Sequence, residues 1–268
     1  MTLRVRAPAT SANLGPGFDS VAVALDLWNE VELSAGGPPA DRDHLAVRAF
    51  ELIAPANGWS FAFFDRIPRE RGLGSSAATI ALGLVAACAA TGREPEPEEL
   101  LALGLPLEGH PDNLAAALAG GVCLTWEGRI ARIADDVPAT PIAVVPEARV
   151  STREARAALP AQVPHADAAH TAGRAALLGA ALASGSPTLF AAALDDRLHE
   201  PYRAPNAPLL EAIRGELPSA ALGATLSGSG PTVIVWAERA RAAECAASLG
   251  RLDADVITLR VAGGARPA

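Results

Sequence analysis

A chain of 268 residues, half of them hydrophobic, is long enough to bury a core in one large domain or two smaller ones. Its net charge of −8 and pI near 5.2 exclude a general nucleic-acid binder, which would carry a basic surface. Every Lys/Arg-type cation is arginine, so mechanisms that need a phosphate-binding or Schiff-base lysine are excluded as well.

In chain order, APATSANLGPGFD from Ala7 to Asp19 is expected as a loop. Gly15 and Gly17 allow close backbone approach, and Asn13 and Asp19 supply an amide and a carboxylate. Val21 to Leu33 mixes β-branched and apolar residues with Asp26, Asn29, Glu30 and Glu32; Val31-Glu32-Leu33 alternates as a half-buried strand would, and Gly36-Gly37-Pro38-Pro39 breaks the pattern. His44 to Ala54 has a helical stripe, and Trp59 to Ile67 reads as a strand. PRERGLGSSAA, Pro68 to Ala78, then runs into an apolar helix that stops at Thr91-Gly92. A proline-rich turn leads to a short helix near Leu100. Pro111-Asp112-Asn113 opens an alanine-rich helix closed by Gly120-Gly121. Val122 to Trp126 and Ile142 to Val145 are strand candidates.

Beyond Pro146 the character changes. Ser151-Thr152-Arg153-Glu154 is a capping box, and two or three further helices are expected up to about Arg214. The end reads as a strand, a Ser227–Gly230 turn, a strand from Pro231 to Trp236, a helix from Glu238 to Leu249 and a strand from Val256 to Val261. The expectation is an α+β protein of two domains, residues 1–145 and 146–268. The N-terminal residues show no secretory h-region. The apolar run Ala77 to Ala90 is too short to span a membrane, so a soluble cytoplasmic protein is expected. Three cysteines without CxxC spacing read as buried apolar residues.

The chemistry concentrates in the glycine loop. A tight turn opening onto a helix N-terminus presents free N–H groups, hydroxyls and the positive end of a dipole, which suits a polyphosphate. Gly72 to Ala77 loosely matches GxGxx[GA]. A dinucleotide fold needs an acidic strand end about 20 residues on, where Gly92 to Pro97 forms a proline-broken turn instead. A Walker loop needs the absent lysine. Glu108-Gly109-His110-Pro111-Asp112-Asn113 suits either a plain helix start capped by Asp112 or a metal and substrate site.

Taken together, the segments Pro8 to Gly17, Pro68 to Ala78 and Leu226 to Pro231 resemble, in order and type, the three motifs of the GHMP kinases. The resemblance covers nearly the whole chain. It implies an N-terminal ribosomal protein S5 domain 2-like half and a C-terminal ferredoxin-like half. Within the superfamily, APATSANLGPGFDSVAVAL, EGHPDN, STREARAALP and HEPYR are similar to the homoserine kinase branch, with ATP and L-homoserine as substrates, in threonine biosynthesis.

The resemblance also implies roles. The main chain of Pro68, Arg69, Glu70, Arg71, Gly72, Leu73, Gly74, Ser75, Ser76, Ala77 and Ala78 would cradle ATP. Ser75 and Glu108 would hold Mg²⁺. Asn13, Asp19 and Asp112 would take the ammonium group, Asn113 the attacking hydroxyl, and Arg156 with Arg203 the α-carboxylate. Arginine suits that last task because its fork binds a carboxylate bidentately. Transfer would be in line, with no dedicated general base. The segments Ser34 to His44 and Ala54 to Ser60 are shorter than the family pattern, and the first helps shape its adenine pocket. A homodimer is the family expectation, without nucleic-acid or membrane partners.

Overall fold

Only residues 14–16 of the expected N-terminal loop are a turn; the rest is a long antiparallel hairpin of β1 (Thr2–Asn13) and β2 (Gly17–Ala35) in the computed structural model, which describes residues 2–38 and 40–268. The small residues read as loop formers serve a packing purpose. Ala7, Ala9 and Ala12 are fully buried because helices lie directly on this strand.

The hairpin anchors a six-stranded sheet. β3 (Trp59–Phe64) and β4 (Val122–Trp126) both pair with β2, and β5 (Arg129–Ala134) pairs with β4. Four helices are associated with this sheet: α1 (Leu45–Glu51), α2 (Ser75–Thr91), α3 (Pro97–Glu108) and α4 (Pro111–Ala119). Helix α2 is apolar almost all round and buried along most of its length, as a central core helix must be. It ends at Gly92 in the left-handed conformation, as the sequence indicated. Asp112 does not cap α4: His110 occupies that position, and Asp112 sits inside the first turn.

A second sheet, in the order β7 (Ala221–Leu226), β8 (Val233–Ala237), β6 (Thr140–Val145), β9 (Asp255–Thr258), is wholly antiparallel. This is the ferredoxin-like strand order. Four α-helices rather than two or three precede β7: α6 (His165–Ser184), α7 (Pro187–Ala193), α8 (Glu200–Arg203) and α9 (Pro208–Gly215). They follow α5 (Thr152–Ala157), whose N-cap Ser151 accepts from the Glu154 amide at 3.2 Å. Helix α10 (Ala242–Leu249) closes the half.

The expected division at 145/146 does not coincide with the division between the sheets. β6, residues 140–145, lies in the second sheet, while β10 (Arg266–Pro267) returns to pair with β1 in the first. Strand β6 carries five buried residues in succession, which is why its burial demands a place at the centre of the second sheet.

Candidate active site

One cleft gathers the ends of β1, the glycine loop, the α3–α4 junction, the start of α5 and the β7–β8 loop. The glycine loop has an unusual hydrogen-bond polarity. Its carbonyls are tied outward: Glu70 O accepts from Val150 N, Arg71 O from Thr232 N, Gly72 O from Ser227 Oγ and Leu73 O from Thr10 N. Among the described residues, no hydrogen bond is donated by the main-chain N–H groups of residues 69–77. Acceptors facing away and donors left over at a helix start make an anion receptor.

Two glycines permit this. A Cβ on Gly72 would lie 2.3 Å from Ser227 O, and one on Gly74, the N-cap of α2, would lie 1.8 Å from Thr10 Oγ1; both have positive φ. The β7–β8 loop is fastened in turn. Ser227 Oγ lies 2.9 Å from Ser11 Oγ, and Gly228 O accepts from Asn13 Nδ2 at 3.1 Å and Arg203 Nη1 at 3.0 Å.

At the α3–α4 junction, Glu108 Oε2 accepts from Ser76 Oγ at 2.7 Å. The hydroxyl on Glu108 is thus that of Ser76, not of Ser75, whose carbonyl accepts from Thr79 inside α2. Burial pushes the Glu108 carboxyl up to about 7, with Asp112 adding repulsion and Ser76 pulling it down. Burial also raises Asp112, whose Oδ1 accepts from the Asn113 amide at 2.6 Å. Asn113 Oδ1 accepts from Thr10 Oγ1 at 2.6 Å, which leaves its NH₂ turned toward Asp112 at 3.3 Å.

Also lining the cleft, Arg156 pairs bidentately with Asp19, at 2.9 and 2.7 Å. That hydrogen bond raises the arginine further, and the pair is 36 % and 37 % exposed. Arg203 is buried, and burial with the nearby Arg156 charge lowers its pKa. Both guanidinium groups lie over the Phe18 ring, at 5.6 and 5.2 Å.

The family model described as GHMP kinases N terminal domain matches residues 44–121, and that described as GHMP kinases C terminal matches residues 174–253. A homoserine kinase of Streptomyces avermitilis is 43% identical over 274 residues, covering 92% of this chain and 90% of that protein. The chain belongs to the GHMP kinases, in the homoserine kinase family. A Desulfitobacterium hafniense homoserine kinase is 39% identical, covering 90% of this chain and 89% of its own length. The crystal structure of homoserine kinase from Cytophaga hutchinsonii superposes with a TM-score of 0.87 at 24% identity, over 100% of this chain and 97% of that one, a likeness of fold.

Twelve residues expected at the site of this GHMP kinase line the cleft: Asn13, Asp19, Glu70, Gly72, Gly74, Ser75, Ser76, Glu108, Asp112, Asn113, Arg156 and Arg203. Pro68, Arg69, Arg71, Leu73, Ala77 and Ala78 are not among its lining residues. Leu73, Ala77 and Ala78 are fully buried and root the loop in the core, while Arg69 turns outward to Asp65. Thr10, Ser11, Ser227 and His199 were not singled out by the sequence as site residues. All four lie inside the motif segments, and their complete burial is the signal that only the fold reveals. Residues of the segments 34–44 and 54–60, among them Gly37, Arg42, Asn57 and Trp59, line a small surface cavity that shares no lining residue with the cleft.

Proposed function

We infer that this GHMP kinase transfers the γ-phosphoryl group of ATP to the hydroxyl of L-homoserine, giving O-phospho-L-homoserine for threonine biosynthesis. One observation carries the reading: a cradle of unpaired amides shares a cleft with an arginine–carboxylate wall. The cradle suits the triphosphate. The charged side chains of the same cleft suit a zwitterion, with acceptors Asn13, Asp19 and Asp112 for the ammonium group and Arg156 and Arg203 for the carboxylate. Identity to homoserine kinases across nine-tenths of the chain supports the same acceptor.

Asn113 orients the hydroxyl, its amide held by Thr10. Transfer is in line through a loose transition state, where alignment matters more than deprotonation. No dedicated base is required, and the proton leaves to phosphate or water.

Mg²⁺ fits the Glu108 corner. The donors are all oxygen, as a hard cation prefers, and Glu108 is a half-buried carboxylate with no cationic partner among the described residues. Glu108 and the Ser76 hydroxyl, with Ser75 alongside, would hold it. When bound, the ion offsets phosphate charge.

The test is coupled ADP release with L-homoserine, mevalonate, galactose and no acceptor. Turnover with homoserine alone is expected; turnover with only mevalonate or galactose would overturn the acceptor assignment. The protein acts in the cytoplasm on this reading, and light scattering tests for a homodimer.

A further inference from the structure

We propose that His199 is a positioning residue for the acceptor substrate, holding the Arg203 guanidinium so that its carboxylate-binding edge stays free. The proposal rests on the homoserine kinase reading and adds a residue to it.

His199 is completely buried at the start of α8. Its Nε2 lies 2.8 Å from Gly15 O, in the turn of the long hairpin. A carbonyl only accepts, so Nε2 carries the proton. Nδ1 is then an acceptor, and Arg203 Nη1 meets it at 3.2 Å. Burial lowers the ring to about 4, in keeping with a neutral imidazole at this place. Asp196 fixes the main chain beneath, accepting from the His199 and Glu200 amides at 2.8 and 2.9 Å.

The consequence lies at Arg203. Nη1 is occupied twice, by His199 Nδ1 and by Gly228 O. Nε is buried and unpartnered among the described residues. The Nε–Nη2 edge is one of the two faces with which a guanidinium grips a carboxylate side-on. The Phe18 ring stacks on His199 at 5.0 Å and underlies both cleft arginines, so one aromatic stack sets the plane of the pair. A histidine serving the fold alone would be satisfied by Gly15. Here its second nitrogen is committed to a cleft residue.

The experiment compares two variants. His199→Gln retains a donor that can reach toward Gly15 O but offers no acceptor at the Nδ1 position. His199→Asn offers that acceptor and forgoes the Gly15 bond. The homoserine KM is expected to rise at least tenfold in His199→Gln, with kcat within about threefold and the ATP KM unchanged, and to return to within about threefold of wild type in His199→Asn. Equal homoserine KM values in wild type and His199→Gln overturn the proposal, as does a rise of the same size in both variants.

If His199→Gln is insoluble, the ring nitrogens of nitrogen-15 histidine-labelled protein decide. Replacing Arg203 by Met is expected to move the His199 Nδ1 resonance and spare Nε2; an unmoved Nδ1 overturns the proposal. A wild-type enzyme that ignores homoserine fails the functional reading instead, and the nitrogen spectrum distinguishes the two.

Discussion

Arg156 and Asp19, both in the lining of the cleft, close on each other in a two-point ion pair, Nη1 to Oδ2 at 2.9 Å and Nη2 to Oδ1 at 2.7 Å. The groups expected to meet opposite charges of the substrate therefore satisfy one another first. A ligand with both charges can replace what each partner gives up; a ligand with one charge leaves the other side chain unpaired. Replacing Asp19 by Asn is expected to raise the homoserine KM at least tenfold while lowering kcat less than about threefold. Loss of kcat at unchanged KM would instead make Asp19 a general base. In steady-state assays, 4-hydroxybutyrate should be a poor acceptor for the same reason.

The bond from Thr10 to Asn113 holds the amide expected to orient the attacking hydroxyl. Thr10→Val removes the donor at nearly constant volume. One lost hydrogen bond to a side chain is worth about 1 kcal/mol, so a fall of about five- to tenfold in kcat is expected, with both KM values nearly unchanged. Steady-state kinetics with a thermal melt as control check it.

Gly72 approaches backbone, not a side chain that could swing aside. Alanine there meets Ser227 O at 2.3 Å in a left-handed conformation. Gly72→Ala should separate the two glycine-rich loops and raise the ATP KM at least about tenfold, measured by nucleotide titration. Gly228→Ala has a nearest neighbour at 3.6 Å and keeps only the backbone strain, so its effect should be several times smaller.

Glu108 gives a pH dependence with a definite sign. Its folded pKa, about 7, lies above the unfolded value near 4.5. The stability it contributes is present below about 4.5 and is lost as pH rises through 7. In metal-free protein, Glu108→Gln should melt close to wild type at pH 5 and a few degrees higher at pH 8. Added Mg²⁺ should narrow that gap by stabilising only the carboxylate. A gap independent of pH would count against the assignment.

Ser76→Ala removes the hydroxyl on Glu108, whereas Ser75→Ala leaves that contact intact. The apparent Mg²⁺ requirement in the kinase assay should rise more in the Ser76 variant.

Where a local pattern had one physical meaning, the sequence was a good guide. The glycine at 92, the capping serine at 151 and the continuous apolar face of α2 each appear where they were read. Ala7 to Asn13 misled because small residues suit a loop and also suit a strand pressed under helices, and only tertiary burial separates the two. The arginines at 156 and 203 were legible through motif resemblance, since an isolated arginine on a helix carries no sign of what it faces. Their pairings, Arg156 with Asp19 and Arg203 with His199 and Gly228, were not, because the bonds join residues 25 to 137 positions apart or link neighbours only through a ring tautomer.

The return of residues 266–267 to β1, with β6 lodged in the other sheet, makes the two halves poor candidates for separate expression. A cut at 145/146 would strip β6 from the fragment whose sheet it centres and leave the edge of β1 bare in the other. Split versions of this kinase should be cut within residues 135–139 and co-produced, so that the C-terminal fragment can lend its final strand to its companion.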